Sequence, residues 1–401
     1  MTGAQEAYLD RYGNALLQVF GTPQRVLTHG QGCEVYDADG RVYLDLLAGI
    51  AVNALGHAHP KLVAAITEQA QRAVHVSNFF TTAPQIELAE KLLTLAGAPS
   101  GSAVFFANSG TEANEAAVKL SRRTGRSRIV AAEGGFHGRS TGALALTHKE
   151  AYREPFAPLL GDVTFVPYDD AEALRAVFED GQGEVAAVFL EPIQGEAGVR
   201  PASEAYLRAA RDLCTANGAL LVFDEVQCGV GRTGDWFAHQ PSGVLPDAMT
   251  LAKGLAGGVP IGALITYGPA VTGLFTAGQH GSTFGGNPLA CAAGLAVLDV
   301  IESEHLMDHA VQVGEKIRAA VLGLRHPRIA EVRGRGLLLG IGLTDEGATD
   351  LAAGLLADGI IVNAPNPRTL RLVPPLVLSA EQADRFVHAL HARLDEPKDS
   401  S

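Results

Sequence analysis

The segment ALLVFDE at residues 219–225 joins a continuous apolar run to two carboxylates at its end. A run that is hydrophobic on both alternating faces is typical of a strand whose sheet is covered by helices. Helical stretches intervene between runs of this kind, which predicts an α/β domain with a largely parallel sheet. The other runs are AVFF (103–106), RIVAAE (128–133), VTFVPY (163–168), VAAVFLE (185–191), AMTLAK (248–253) and GALIT (262–266).

The parts of the chain that flank this pattern have a different rhythm. Residues 1–60 are turn-rich and short-stranded, and we expect them to pack with a small C-terminal domain rather than fold alone. The alternating pattern predicts a large domain over 61–305. The runs RGRGLLLGIGL (333–343), GIIVNA (359–364) and TLRLVPPL (369–376) then predict a smaller α+β domain over 306–401.

Composition excludes several classes of function. The chain has 401 residues, with 31 basic and 44 acidic side chains and a net charge of −13, which disfavours nucleic acid as a partner. No long apolar window predicts a membrane span, and the first twenty residues do not resemble a secretory signal. The four cysteines form no CxxC pair, which indicates neither a disulfide framework nor a metal site and favours a cytoplasmic protein.

Reactive side chains follow three of the predicted strands. Asp224 ends one run, Lys253 ends another before the small-residue loop GLAGG, and residues 109–111 (SGT) open a helix after AVFFAN. Ligands bind beyond the carboxyl ends of parallel strands, and the start of a helix is a natural phosphate site. A phosphate site, a carboxylate and a lysine are together what pyridoxal 5′-phosphate (PLP) requires.

Each of these features also has an ordinary structural interpretation. The SGT sequence is more often a simple helix cap, and a lone aspartate after a strand is often a turn residue. Lys253 could be a surface lysine in a turn. The sequence GVGRTG at residues 229–234 matches a dinucleotide fingerprint and would suit a nicotinamide dehydrogenase, but no helical pattern follows it, which favours a loop. His57 and His59 lack a third metal ligand and are interpreted as loop histidines.

Several longer motifs, taken together, resemble the class III PLP-dependent aminotransferases. The resemblance implies the fold-type I architecture, with a mostly parallel seven-stranded sheet and a smaller α+β domain. The matching stretches run in family order along almost the whole chain: GHAHP (56–60), NSGTEANEAAVKLSR (108–122), GGFHGRS (134–140), EPIQGEAGV (191–199), LLVFDEVQCGVGRTG (220–234), LAKGLAGGVPIGA (251–263), HGSTFGGNPLAC (280–291) and LRLVPPL (370–376).

The resemblance implies how the ring of the cofactor would be held. Lys253 would bind the PLP aldehyde covalently, and Asp224 would pair with the ring nitrogen and keep it protonated. Gln227 would bind the phenolic oxygen, while Val226 and Phe136 would pack on the two ring faces.

The resemblance also implies a homodimer with shared active sites. Ser109, Gly110 and Thr111 would bind the phosphate of PLP within one subunit. Thr283 would reach this phosphate from the partner subunit, and Ser282 would lie beside the substrate, also from the partner.

Within the family, the resemblance is to members that transfer the side-chain amino group of N-acetylornithine to 2-oxoglutarate in arginine biosynthesis. Arg139 would bind the α-carboxylate of the donor, since a guanidinium suits a carboxylate. Arg371 would bind the α-carboxylate of glutamate or 2-oxoglutarate, and Glu196 would neutralise it when the other substrate is bound. Glu196 and Arg371 could instead form a permanent structural pair.

Other donors and reactions remain open at this point. Ornithine, succinylornithine, N-succinyldiaminopimelate and 4-aminobutyrate are alternative donors for such a site, and an aminomutase would share Lys253 and Asp224. The segment HVSNFFTT at residues 75–82 resembles the substrate-side loop of the acetylornithine group and would suit an acylated amine.

Overall fold

The computed structural model describes residues 3–396 and begins with a helix and three short strands. These strands form an antiparallel meander, whose third strand also pairs in parallel with a strand from the C-terminal part of the chain. The N-terminal segment is therefore bonded to the C-terminal part through the backbone. Its elements are α1 Ala4–Ala15, β1 Leu27–Gln31, β2 Glu34–Asp37, β3 Val42–Asp45 and α2 Ala48–Ala51.

Alternating helices and strands make up the middle of the chain. They are α3 Pro60–Arg72, α4 Ala83–Leu95, β4 Ala103–Ala107, α5 Gly110–Arg122, β5 Arg128–Ala132, α6 Thr141–Leu146, α7 Glu150–Arg153, β6 Val163–Val166, α8 Ala171–Glu179, β7 Val185–Leu190, β8 Ile193–Gln194, β9 Arg200–Pro201, α9 Glu204–Asn217, β10 Leu220–Asp224, β11 Ala248–Leu251, β12 Gly262–Thr266, α10 Pro269–Thr272 and α11 Pro288–Ser303.

Seven of these strands form one sheet in the order β4-β12-β11-β10-β7-β5-β6. The pairs among β11, β10, β7, β5 and β6 are parallel, and only β12 runs antiparallel to its two neighbours. Every apolar run predicted as a strand lies in this sheet, so the predicted α/β class and the mostly parallel seven-stranded sheet are confirmed.

The central strand β10 explains why its sequence is apolar on both faces. Leu221 and Phe223 pack into a core with helices α8 and α9, whereas Val222 packs into a second core with α5. All three side chains are inaccessible to solvent. Helices thus cover both faces of the sheet, and only its edges and the ends of its strands are free to carry polar chemistry.

The C-terminal part of the chain is a second, smaller unit of the α+β class, as predicted. The order β13-β14-β17-β16 defines its antiparallel sheet, and β15 pairs with β3. A shared hydrophobic cluster that includes Leu44, Leu255 and Phe386 joins it to the rest. Its elements are α12 Leu306–Gly323, β13 Ile329–Arg335, β14 Leu338–Leu343, α13 Ala348–Ala357, β15 Ile360–Ile361, β16 Asn363–Asn366, β17 Thr369–Leu372 and α14 Ala380–Asp395.

The helices α11 and α12 are separate, because the chain breaks between them where His305 adopts a φ of +51°. The domain limits at 60 and 305 stay predictions, and residues 1–2 and 397–401 lie outside the described part. Within residues 3–396, no helix combines the length and the apolar character that crossing a membrane requires.

Candidate active site

A cavity of about 420 Å³ lies beyond the carboxyl ends of the parallel strands. This is where an open α/β sheet is expected to bind a ligand. The residues predicted from sequence that line it are Ser109, Gly110, Thr111, Phe136, Arg139, Glu196, Asp224, Val226, Gln227 and Lys253.

Three predicted residues do not line this cavity. Arg371 lies behind the wall and contacts two lining residues. The Ser282 hydroxyl accepts a hydrogen bond from Asn108 Nδ2 at 2.9 Å, which places it at the rim. Thr283 is exposed and lies outside the cavity of its own chain.

Lys253 directly follows β11 and Ala252, and begins a single 3₁₀ turn. Its φ is +41°, a left-handed conformation that a lysine rarely adopts and that often marks a functional site. No side-chain hydrogen bond to Lys253 occurs within residues 3–396. Burial in the cavity wall lowers the pKa of the amine, although Glu196 partly opposes this shift. A free amine is therefore favoured here more than at the surface.

Asp224 ends β10 and is held on both carboxylate oxygens. Its Oδ2 accepts hydrogen bonds from Asn114 Nδ2 and His137 Nδ1, each at 2.8 Å, and its Oδ1 accepts one from the backbone N–H of Val226 at 3.0 Å. Asn114 is in turn fixed by the hydroxyl of Thr250, which donates to Asn114 Oδ1 at 2.8 Å. Asp224 is only 3% exposed, so this network stabilises a charge that water does not reach.

His137 and Glu191 complete this buried group, and sequence analysis missed both, as it missed Asn114. Burial disfavours the charged imidazole, but the bond to Asp224 outweighs that effect and raises the pKa of His137. Burial and the charge of Asp224 raise the pKa of Glu191 to about 7. Glu191 directly follows the apolar run of β7, so the strand-end rule that found Asp224 could also have found it.

The carboxylate of Glu191 ties together two loops of the cavity wall. Its Oε1 accepts from the backbone N–H of Phe136 at 3.0 Å, and its Oε2 accepts from that of Gly195 at 3.1 Å. The loops that carry Phe136 and Glu196 are therefore held at a common point.

The amino end of α5 opens onto the cavity. Ser109 caps this helix, since its hydroxyl accepts a hydrogen bond from the N–H of Glu112 at 3.3 Å. A Cβ on Gly110 would lie 2.7 Å from Val226, so only glycine allows the two loops to approach this closely. Free N–H groups at a helix start favour an anion, and the cap and the anion site are therefore compatible.

Arg139 lies at the exposed side of the cavity. Its guanidinium is 3.6 Å from the ring centroid of Tyr152 and 5.6 Å from that of Phe136. No carboxylate of the described residues forms an ion pair with it. Tyr152, which sequence analysis did not single out, orients the guanidinium without neutralising its charge.

Arg371 and Glu196 form an ion pair at the cavity wall, with 2.5 Å between Arg371 Nη1 and Glu196 Oε1. Gln227 joins this pair, since its Oε1 lies 3.1 Å from the same Nη1. Burial disfavours the charge on Glu196, but Arg371 outweighs this and lowers its pKa. Arg371 is fully buried and its Nη2 has no hydrogen-bond partner within the described residues. A buried donor without a partner is unfavourable, and an acceptor that reached it would satisfy it.

Three other features from the sequence remain to be placed in the structure: the GVGRTG segment, His57 and the loop at residues 75–82. The GVGRTG segment lies among turns between β10 and the 3₁₀ turn at Gln240–Ser242, so the prediction of a loop is confirmed. His57 Nε2 lies 2.9 Å from Asp45 Oδ2. The loop at 75–82 contacts the rim, because Asn78 Nδ2 donates to the carbonyl of Ser282 at 2.7 Å, but it does not line the cavity of its own chain.

The fold and the strand-end site together define a fold-type I transferase, and comparison with known proteins identifies the class. The family model described as "Aminotransferase class-III" matches residues 19–394. The chain belongs to the class III aminotransferase family and is an aminotransferase.

Individual relatives are similar over nearly their whole length. The acetylornithine aminotransferase of Mycobacterium tuberculosis (strain H37Rv) is 53% identical over 398 residues, which cover 98% of each chain. The N-acetylornithine aminotransferase of Stenotrophomonas maltophilia has a solved structure with a TM-score of 0.81, at 37% identity and with 94% and 97% of the two chains covered. A structure of the ornithine aminotransferase of Toxoplasma gondii has a TM-score of 0.91, at 31% identity over 97% and 93% of the chains, and is described as having partial occupancy of PLP.

We predict that Glu191→Gln changes how stability depends on pH. The acid binds its proton more tightly in the folded than in the unfolded protein, because its pKa rises from 4.5 to about 7 on folding. Raising the pH through this window therefore lowers the free energy of unfolding of the parent protein, and the variant lacks this contribution. Urea unfolding at several pH values measures the difference. Glu133→Gln, an exposed neighbour, serves as the control, and parallel profiles for Glu191→Gln and the parent protein would contradict the prediction.

Proposed function

We propose that this protein transfers the side-chain amino group of N-acetylornithine to 2-oxoglutarate, using PLP held by Lys253. The products are N-acetylglutamate 5-semialdehyde and glutamate, a step of arginine biosynthesis. The observation that carries this proposal is the lysine with a lowered pKa, in one cavity with the buried carboxylate of Asp224 and with Arg139, while Arg371 contacts the cavity wall from behind. The names of its relatives support the choice of donor.

The residues of the cavity fit PLP. Lys253 supplies an amine for the aldehyde, Asp224 a fixed carboxylate for the ring nitrogen, and the start of α5 a site for the phosphate at Ser109, Gly110 and Thr111. Phe136, Val226 and Gln227 line the space between these groups and would contact the ring and its phenolic oxygen. When bound, PLP supplies an aldehyde that accepts the amino group and a ring that stabilises negative charge on the neighbouring carbon.

Asp224 performs its role through its fixed charge. The hydrogen bonds from Asn114 and His137 prevent the carboxylate from turning away, so its charge stays directed into the cavity. A buried negative charge at that position favours a protonated ring nitrogen and so strengthens the ring as an electron acceptor.

Lys253 has a second role as the group that moves a proton. With PLP and the donor bound, the amine of Lys253 would accept the proton of the amine-bearing carbon and donate it at C4′. A lowered pKa suits this task, because the free amine is the form that accepts a proton.

The two arginines divide the recognition of the substrates. Arg139 carries an unpaired charge for the α-carboxylate of N-acetylornithine. Arg371 stays paired with Glu196 while this donor is bound, because the carbon of the donor that carries the transferred amine bears no carboxylate. When 2-oxoglutarate enters, its α-carboxylate takes the place of Glu196, and Nη2 of Arg371 provides an additional donor.

We further propose a cytoplasmic homodimer with shared sites. Phe79, Phe80 and Phe284 are 93%, 72% and 59% exposed beside the cavity rim. Such a cluster of apolar side chains next to a site is typical of a subunit interface. A second copy of the chain seated there would bury these rings and bring Thr283 and Ser282 to the neighbouring site.

Replacement of Lys253 by alanine should abolish turnover, because no other described residue in the cavity offers a free amine. Borohydride reduction of the parent protein with PLP, followed by peptide mapping, should label Lys253. Lys61→Ala, which removes an exposed lysine paired with Glu304, is the control and should keep full activity. Parent-like turnover by Lys253→Ala would exclude the assigned role.

A panel of amino donors with 2-oxoglutarate tests the choice of substrate. N-acetylornithine should give the highest kcat/KM, because the site has no free carboxylate to pair with a cationic end when Glu196 binds Arg371. The panel contains ornithine, succinylornithine, N-succinyldiaminopimelate and 4-aminobutyrate, and glutamate formation is measured. A tenfold preference for one of these would replace N-acetylornithine with that donor.

Charge placed on the exposed aromatic surface should disrupt the dimer. Sedimentation of the parent protein should give twice the 41.8 kDa mass of one chain. Phe80→Asp should shift the sedimenting mass towards that of the monomer and lower turnover at least tenfold, because a carboxylate is costly to bury in an interface. Leu322→Asp, on an exposed face of α12, should change neither. A dimeric and fully active Phe80→Asp protein would refute this surface as the interface.

A further inference from the structure

The loop that carries Glu196 lies across the small C-terminal sheet and is held there from two sides. The loop consists of residues 195–199, which follow β8 and connect it to β9. At one end of the loop, Glu196 pairs with Arg371 of β17. At the other end, the carbonyl of Gly198 accepts a hydrogen bond at 2.7 Å from Nε of Arg333, a residue of β13 to which the proposed function assigns no role.

The register of the sheet explains why two arginines reach the same loop. Arg333 on β13 lies opposite Gly340 on β14, and Gly340 lies opposite Arg371 on β17. Residues opposite each other point to the same face of a sheet. Gly340 has no side chain, and a Cβ there would lie 2.8 Å from the carbonyl oxygen of Gly198. The loop therefore runs through a gap between the two guanidinium groups.

Arg333 is itself well fixed. Its Nη2 donates to the hydroxyl of Thr369 at 2.7 Å, and its Nη1 pairs with Glu331 at 2.6 Å. A second group from the same sheet reaches the loop, since Asn366 Nδ2 donates to the carbonyl of Ala197 at 3.2 Å. Two consecutive carbonyls of the loop are thus bound by side chains of the small sheet.

The loop needs such external contacts to keep its conformation. Val199 has a φ of +58°, which is unfavourable for a β-branched residue, and its side chain is completely buried. Gly198 has a φ of +100°, and a Cβ there would lie 2.5 Å from Asn366. Strained backbone persists only where its surroundings hold it.

We propose that Arg333 is a positioning residue that holds the 195–199 loop in the arrangement where Glu196 pairs with Arg371, and thereby sets the balance between the two substrates. This inference rests on the proposed function, in which Arg371 binds the dicarboxylate only when Glu196 releases it. The backbone bond to Arg333 and the ion pair to Arg371 occur in the same arrangement of the loop. Removing the hydrogen bond from Arg333 therefore weakens the ion pair between Glu196 and Arg371. Arg371 is then unpaired more often.

Two substrates report this balance in opposite directions. A freer Arg371 binds 2-oxoglutarate more readily, whereas an unpaired buried guanidinium disfavours the reacting end of N-acetylornithine, which has no carboxylate to pair with it. A general loss of stability would weaken both substrates together. Opposite changes in the two KM values thus distinguish positioning from mere structural damage.

The test compares Arg333→Met with the parent holoenzyme. The KM for 2-oxoglutarate should fall and the KM for N-acetylornithine should rise, each by about fivefold, the value of one net hydrogen bond. Glutarate, a dicarboxylate that cannot react, should bind about fivefold more tightly in a spectroscopic titration of the holoenzyme. Arg333→Lys keeps the charge and one hydrogen-bond donor. Its KM values and its affinity for glutarate should lie between those of Arg333→Met and the parent protein.

The control is Arg368→Met. Arg368 lies in the turn between β16 and β17 and pairs with Glu346, but no hydrogen bond within residues 3–396 joins its side chain to the loop. Its KM values and its affinity for glutarate should match those of the parent protein. Asn366→Ala removes the bond to Ala197 and should shift both KM values in the same directions as Arg333→Met but less, which tests the inference even if Arg333→Met does not fold.

The outcomes separate the two proposals. If the parent protein does not use N-acetylornithine, the proposed function fails, and the glutarate titration still tests the role of Arg333. If the parent uses both substrates but Arg333→Met and Asn366→Ala leave the KM values unchanged, or move them in one direction, the positioning role is wrong. Opposite shifts together with tighter binding of glutarate support it.

Discussion

The placement of one buried carboxylate, Asp224, constrains most of the active site. A charge at the end of the central strand, 3% exposed, requires hydrogen-bond donors that the protein itself supplies. Asn114 comes from α5 and His137 from the loop after β5, so the carboxylate fixes a helix and a loop relative to β10. The same helix presents its amino end to the cavity, so the position of Asp224 also constrains where that helix start lies.

The second constraint is one of charge, because in the proposed function one cavity accepts two substrates with different charges. The large sheet carries Lys253 and Asp224, whereas Arg371 comes from the small sheet and reaches the site through the wall. This division allows the charge of Arg371 to be covered by Glu196 without disturbing the buried carboxylate. The loop of Glu196 is bonded to both units, to Glu191 at Gly195 and to Arg333 at Gly198.

Sequence patterns predicted residues that stand at strand ends or helix starts. Asp224, Lys253 and the start of α5 follow apolar runs, and a parallel sheet brings such positions to one edge whatever the details of packing. Asn114 and His137 lie within a helix and a loop, where no periodic signal separates a ligand of Asp224 from an ordinary polar residue. Glu191 stands at a strand end and could have been found, whereas the contacts of Tyr152 with Arg139 and of Arg333 with Gly198 join segments that no local pattern relates.

The sequence by itself determined the α/β class, the seven strands and the edge at which reactive side chains collect. These follow from hydrophobic burial and from strand direction, which are local properties of the chain. Only the tertiary structure decided that Gln227 joins the pair of Arg371 and Glu196, that Glu191 joins two loops, and that Gly340 leaves a gap between two arginines. Those features depend on which strands pair and in which register, and a register is set by the packing of the whole sheet rather than by any one segment.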